Sequence, residues 1–475
     1  MRAKFLSGLI AASLVLTPAL ASRAQDARTI ATAERLRDTA MEGTRAYAIV
    51  EELTTRFGPR PAGTPAEHLS AEWGADLMRS LGFQNVRIER FPLAVWHRGA
   101  ERVEIVSPLP QPLVATALGG AVATPPEGIE AEAVLFETWQ DLLDAPMGSL
   151  EGRIAVVLQD TIRAQDGRGY GSTSVMRFDG PRVAAERGAV GYVLRSLGTH
   201  DHRFAHTGAT RYLDDPIPAF AISPPDADQL RRLARLDGGT PIRLRLFSSA
   251  WVEEGSHSQN VIGEIRGRER PEEVIVIGGH LDSWDMGTGA LDDGAGLAIT
   301  TAALELIARL PQRPRRTIRL VWWGAEEVSQ PPPAQGLAGA RFYAETYAAE
   351  AGNHVTISES DFGARRIYAL SLPEGMGGTA FQRAAMRVLT PIGIVWNPAP
   401  ARSGGPDTGP TVALGVPPFS LAQDGSDYFN YHHTADDVLD RIERDELDQN
   451  VAAWAALLWL IADSDVDFRN PVLID

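Results

Sequence analysis

The chain has 475 residues, a formal net charge of -16, 44% hydrophobic residues and 22% charged residues. That length exceeds one ordinary compact core and predicts a large domain with a smaller one, while the composition excludes a mostly disordered chain. The acidic balance argues against nucleic acid or an anionic membrane as partner, since both attract basic surfaces. With no cysteine, disulfides, thiolate nucleophiles and thiolate zinc sites are excluded, so any metal must be held by His, Asp and Glu.

At the N-terminus, Arg2 and Lys4 flank the start of an apolar run, Phe5 to Leu16, and the small residues Ala19-Leu20-Ala21 follow. This is the pattern of an export signal, with Ser22-Arg23-Ala24 as a second cleavage position. The run is shorter than the roughly 20 residues that span a bilayer. Met1 to Ala24 is therefore set apart from the fold, and the mature chain is expected to be exported, periplasmic or secreted, with no membrane contact after cleavage.

Helical spacing of apolar residues predicts one helix over Thr32 to Leu53 and another over Ala66 to Ser80, separated by the Gly- and Pro-rich loop Phe57 to Pro65. Val86 to Phe91 reads as a strand. From about Pro108 the texture changes. Short strands at Arg153 to Leu158, Ala189 to Leu194 and Ile217 to Ile222 alternate with helices at Pro181 to Arg187 and Asp226 to Leu233. The segment 108–255 therefore reads as a small mixed α/β insertion between 25–107 and 256–475. After Asn260, Val274 to Ile277 and Thr317 to Trp323 are unbroken apolar strands of the kind buried on both faces. Ala295 to Leu310 is a helix between them, and Leu447 to Ala462 is a core-packing helix. The alternation predicts an α/β fold whose mostly parallel or mixed sheet is flanked by helices.

Ligands of open α/β sheets collect beyond the carboxyl ends of strands. His280-Leu281-Asp282 and Asp292-Asp293 follow the first buried strand, Glu326-Glu327 the second, Glu359-Ser360-Asp361 the segment Val355 to Ile357, and His432-His433 the apolar stretch Pro418 to Leu421. Each piece has an ordinary explanation: a surface pair, a helix N-terminal cap, a solvated turn. Four such clusters at successive strand ends point to a metal site assembled across a sheet. The spacing of His200, His202 and His206 resembles a metal triad, but they lie in a Gly-containing loop of the insertion, which argues against a second site. His68, His97, His257 and His354 read as solvated or structural.

The stretch Gly279-His280-Leu281-Asp282-Ser283-Trp284, with Gly289-Ala290-Leu291-Asp292-Asp293-Gly294 and Ala325-Glu326-Glu327, resembles the M28 zinc peptidases over nearly the whole mature chain. Tyr170-Gly171, Arg177, Ala184 to Gly191, His206-Thr207-Gly208 and Ile217-Pro218 resemble the protease-associated domain inserted in members of that family. The resemblance implies a zinc-exopeptidase fold with two zinc ions. His280 and Asp361 would hold one, Glu327 and His433 the other, and Asp292 would bridge them. Glu326 would be the general base, and Asp282 would orient His280. The residues alone leave Glu359 and Asp361, and likewise His432 and His433, as alternatives; the resemblance selects Asp361 and His433.

In related glutamate carboxypeptidases an arginine of the inserted domain grips the substrate's terminal carboxylate, and Arg177 falls at the similar place. Ser329 to Gly336, with three consecutive prolines, lengthens the loop after Glu327 and is expected to rim the active site. The implied activity is an exopeptidase or dipeptidase acting on short peptides, with a homodimer suggested by the resemblance. The competing readings are a zinc acyltransferase similar to glutaminyl cyclases and a non-catalytic receptor-like relative. The first fits poorly with an inserted domain, and the second with a complete set of metal-binding residues and base.

Overall fold

The structure, a computed structural model, describes residues 27–236, 240–331 and 336–471. The expected export signal lies outside the described residues. Among those residues, no helix is long and apolar enough to cross a membrane.

The site is carried by a five-stranded sheet in the order Gln84–His97, Trp251–Ile265, Arg316–Trp323, Arg270–His280, His354–Glu359. Arg270–His280 runs parallel to both of its neighbours, whereas the first two strands form an antiparallel edge. The mixed sheet is flanked by helices as expected. Side chains alternate across a strand, and here both faces are covered. Ile275, Ile277, Leu320 and Trp322 join the core beneath helices Ala295–Ala308 and Arg444–Ala462. Val274, Val276, Val321 and Trp323 face the other way, against Ala340 and Tyr343 of helix Ala338–Thr346. This two-sided burial is why the strands are continuous apolar runs. A three-stranded sheet, Val395–Trp396, Ile367–Ser371 and Ser420–Gln423, is tied to the main sheet by a bridge between Ile357 and Pro418.

The single helix expected over Thr32 to Leu53 is two, Ala27–Met41 and Ala46–Phe57. Gly43 takes φ +132° between them, a conformation that favours glycine. The Thr44 hydroxyl then accepts from the Ala46 backbone N–H at 3.2 Å, starting the second helix.

Residues between Glu101 and Ser248 build an eight-stranded sheet with its own packing. Ile154 and Val156 point into one of its cores, Ala155 and Val157 into the other. Its first strand, Glu101–Ser107, precedes Pro108. Helix Arg168–Phe178 lies on this part of the molecule and carries Arg177.

Candidate metal centre

Parallel strands in register end side by side. His280 pairs with Trp323, and Gly278 with Glu359, so the segments that follow all three strands open at one edge. His280 is the last residue of its strand. Its Nδ1–H donates to the Asp282 backbone carbonyl at 2.9 Å, which leaves Nε2 as the free acceptor. That nitrogen lies 3.2 Å from Asp292 Oδ1 and 3.6 Å from Asp361 Oδ1. On the other side, His433 Nε2 lies 3.2 Å from Asp292 Oδ2 and 3.0 Å from Glu327 Oε2. The two oxygens of one carboxylate thus face two different imidazoles. His280, Asp292, Glu327 and His433 are all buried.

The residues that sequence spacing left as alternatives occupy different environments. Asp361 faces His280, whereas Glu359 turns away and accepts the Asp407 backbone N–H at 2.8 Å. His433 touches both Asp292 and Glu327, while His432 Nε2 is 3.5 Å from Asp292 Oδ2. In the acidic pair before helix Ala295–Ala308, the two carboxylates divide the work. Asp292 faces the imidazoles. Asp293 accepts from the backbone N–H groups of Gly296 and His280, each at 3.0 Å, and so performs the capping that such a pair ordinarily performs.

Asp282 acts differently from the simple picture of a carboxylate behind a histidine. Its carbonyl holds His280, and its carboxylate lies 3.8 Å from that ring. The same carboxylate accepts the backbone N–H groups of Glu326 at 3.0 Å and Glu327 at 3.2 Å. It therefore fixes the turn on which both glutamates sit. Ala325 in that turn has φ +57°.

Two supports were not legible beforehand. Arg60 is fully buried and donates to the carbonyls of Gly58, Leu281, Thr288 and Gly289 at 2.7 to 3.1 Å. It pins the loop joining His280 to Asp292. Burial lowers its pKa to about 10 against the opposing charges of Asp437, Asp282, Asp293 and Asp292. Trp284 Nε1–H donates to Glu327 Oε2 at 2.6 Å. The Trp284 ring fills the space beside Gly119, where an added Cβ would lie 2.1 Å from it; the eight-stranded region thus abuts a residue that holds Glu327.

Electrostatics follow the crowding. Burial opposes a charge on His433, yet Glu327 and Asp292 push its pKa up to about 9. For His280 the carboxylates of Asp292 and Asp361 likewise overcome burial and raise it well above the histidine range. Burial, followed by the charge of Glu327, drives Glu326 well above the ordinary carboxylate range. Burial, followed by the charge of His433, holds His432 well below the ordinary histidine range.

A cleft of about 720 Å³ opens onto these groups and is lined by Glu326, Glu327 and Asp361 on one side and by Tyr170, Arg177 and Tyr212 on the other. Arg177 is buried, with Nη1 donating to Tyr170 Oη at 2.5 Å and Nε to the Ala209 carbonyl at 3.1 Å. Its Nη1 also lies 3.3 Å from His433 Nδ1. Ser329, Gln330 and Gly336 line the same cleft; residues 332–335 of that loop lie outside the described residues. Of the three histidines with metal-like spacing, His200 and His202 stack on Phe204. His206 leaves them and meets His432 at 2.9 Å.

A family model described as Peptidase family M28 matches residues 260–458. Carboxypeptidase Q of Bos taurus is 32% identical over 428 residues, which span 88% of this chain and 85% of that protein. A peptidase M28 precursor from Shewanella amazonensis SB2B, known as a crystal structure, has a TM-score of 0.89 at 44% identity and covers 94% of this chain and 99% of its own. A zinc aminopeptidase from Bacillus subtilis shares the fold, with a TM-score of 0.61 at 19% identity over 91% of this chain and 98% of its own. By its sequence and by its fold, the chain belongs to peptidase family M28, with carboxypeptidase Q among its relatives.

Proposed function

We propose that this chain is an exported zinc exopeptidase that hydrolyses short peptides. In this reading His280 and Asp361 hold one zinc, Glu327 and His433 the other, and Asp292 lies between them. The observation that carries the reading is Asp292 itself, whose two oxygens face His280 and His433 at 3.2 Å each. The residues fit such a pair of ions. Glu327 Oε1 is buried without a hydrogen-bond partner, a costly state for a carboxylate that a divalent cation relieves. Imidazole and carboxylate without thiolate suit zinc, the metal of the Bacillus subtilis relative. Bound cations would also reverse the charge logic that raises Glu326 and the histidines.

Zinc bound there would acidify a water molecule and polarise the scissile carbonyl. The chain's own groups do the rest. Glu326 takes the proton from the attacking water and delivers it to the leaving amine. The Asp282 carboxylate holds the Glu326–Glu327 turn by two backbone hydrogen bonds, so base and metal-holding group keep one geometry. The Asp282 carbonyl selects the His280 tautomer that leaves Nε2 free. Arg177 on the cleft wall receives the terminal carboxylate of the peptide, a group that a guanidinium binds in bidentate fashion.

Replacing Glu326 by Ala is expected to leave two zinc ions per chain by mass spectrometry and to lower turnover about 10²–10⁴-fold. His433→Ala is expected to lose metal. Near-normal turnover in Glu326→Ala would remove the base assignment. For Arg177→Ala, free dipeptides should suffer more than their amides; equal losses would exclude the clamp.

A further inference from the structure

We propose that Arg98 is a positioning residue for one half of the metal centre, bracing Glu327 and His433 across the two sheets, while His280 and Asp361 are held without it. The inference rests on the peptidase reading above, in which Glu327 and His433 share one zinc. Arg98 lies where the chain leaves the five-stranded sheet, just past strand Gln84–His97 and shortly before strand Glu101–Ser107. The chain returns beside it: the Ala100 backbone N–H donates to Ser249 Oγ at 2.8 Å, and the Ser249 backbone N–H to the Ala100 carbonyl at 2.9 Å. The arginine side chain turns inward from this crossing, and only 10% of it is exposed.

Its guanidinium reaches both regions. Nε and Nη2 donate to Asp285 Oδ2 at 2.8 Å and Oδ1 at 2.6 Å, the bidentate geometry in which arginine holds a carboxylate most firmly. Nη1 donates to Thr116 Oγ1 at 2.7 Å and to the Ala117 carbonyl, and Nη2 to Thr207 Oγ1 at 3.2 Å. Thr116, Ala117 and Thr207 all belong to the eight-stranded region. Each N–H of the fork thus has an acceptor. The guanidinium also lies 5.1 Å from the Trp96 ring and 5.9 Å from the Trp284 ring, close enough for a cation–π attraction.

Two routes lead from this residue to one metal position. Asp285 follows Trp284, whose Nε1–H donates to Glu327 Oε2 at 2.6 Å and whose ring lies 5.7 Å from that of His433. Thr207 takes the second route, its backbone N–H donating to the His433 carbonyl at 3.0 Å. His433 has φ +59°, a left-handed conformation that is uncommon outside glycine and has to be held by its surroundings. Gly208 lets the Thr207 loop come near enough to hold it, since a Cβ at 208 would lie 2.7 Å from His433 Nδ1.

The other position is held from within the five-stranded sheet. The His280 ring meets the Asp282 carbonyl at 2.9 Å, and the His280 backbone N–H donates to Asp293 at 3.0 Å. Beside Asp361, the Ser360 backbone N–H donates to the Gly278 carbonyl at 3.0 Å. None of these contacts involves Arg98 or the eight-stranded region. Groups that orient metal-holding side chains set affinity for the ion, so loosening Arg98 should weaken one position and spare the other.

The test titrates zinc into the metal-free full chain against a chromophoric chelator. It compares wild type with Arg98→Met, Arg98→Lys, His433→Ala and Arg319→Met. His433→Ala identifies the binding step that belongs to the Glu327 and His433 position. Arg98→Met is expected to weaken that step about tenfold and to leave the other within about threefold. Arg98→Lys, which keeps the charge but not the fork, should recover part of the loss. Arg319→Met removes a similarly buried arginine that is bonded instead to Glu264 at 2.8 Å and to Tyr343 Oη at 3.1 Å. It is expected to change neither step, which separates positioning from a general loss of stability. The proposal is overturned if Arg98→Met leaves both steps as in wild type, if it weakens both alike, or if Arg319→Met weakens the same step as much. A wild-type chain that binds two zinc ions but cleaves no dipeptide would overturn the exopeptidase reading alone; one that binds no zinc would overturn both.

Discussion

In the five-stranded sheet, Val274 and Ile275 enter opposite cores and the strand ends on His280; in the eight-stranded sheet, Ile154 and Ala155 do the same, and the residues that follow include Gln159, which caps the Trp139 backbone N–H at 2.8 Å. Strand Ile154–Val157 and residues 274–277 are each buried on both faces, and the two runs are indistinguishable by apolar pattern. What separates them is the chemistry of the one or two residues past each strand. Three parallel ends of the first sheet deliver His280, Glu326-Glu327 and Asp361 to one edge. The second supplies a wall, with Arg177, Tyr170 and His206 reaching across to that edge. A sheet's periodicity reports how it is buried, and only its C-terminal loops report what it does.

The contrast can be broken most forcefully at Asp292. Asp292→Asn weakens the shared anion, and is expected to release zinc and lower activity at least about a thousandfold, since the metal contributes several kcal/mol to the barrier. Metal retention at wild-type stoichiometry would show that the five-stranded edge does not hold the ions in the proposed way.

Arg60→Met probes the scaffold beneath that edge. Four carbonyls would lose their buried donor, and unfolding in urea should reveal a loss of about 3–5 kcal/mol. A change under 1 kcal/mol would mean the 281–289 loop stands without it.

Gly119→Ala tests whether the wall also supports the metal-holding groups. Its methyl would collide with the Trp284 ring, and overpacking of this kind costs roughly 1–3 kcal/mol. Because Trp284 holds Glu327, zinc affinity should fall as well. Unchanged affinity by chelator competition would confine the wall to the substrate side.

His354, far from the wall, makes the smallest and most selective test. Its Nδ1–H donates to the Glu350 carbonyl and its Nε2 accepts from Tyr343 Oη, and burial lowers its pKa from 6.5 to about 4. The unfolded chain takes up this proton first as the pH falls. Stability from this group is thus full above pH 6.5 and is lost progressively toward pH 4, by up to about 3 kcal/mol at roughly 1.4 kcal/mol per pH unit. His354→Gln should flatten that part of the curve; an identical slope in both chains would reject the assignment.

Much of the five-stranded sheet and its candidate site was legible because its signals are local. Val274 to Ile277 and Thr317 to Trp323 are apolar without interruption, and the groups gathered at the site follow those strands directly. Distant partnerships left no such trace. Arg60 sits in a Gly- and Pro-rich loop, and its acceptors include carbonyls 221 to 229 residues away. Helix Arg168–Phe178 contains Gly169, Gly171, Ser172 and Ser174, weak helix formers that predict a loop. Burial of Thr173, Met176 and Arg177 outweighs that propensity. His206 shares its spacing with His200 and His202, and only tertiary packing separates it from them and sets it against His432.

Gly119 and Trp284 form a matched pair across the two sheets. The indole has room only where residue 119 bears a hydrogen, and only an indole in that place supplies the donor to Glu327. Neither residue is free to drift alone. A larger side chain at 119 would demand a smaller one at 284, and the smaller one would release the carboxylate. Variation at residue 119 is thereby held in check by a carboxylate that it meets only through an indole.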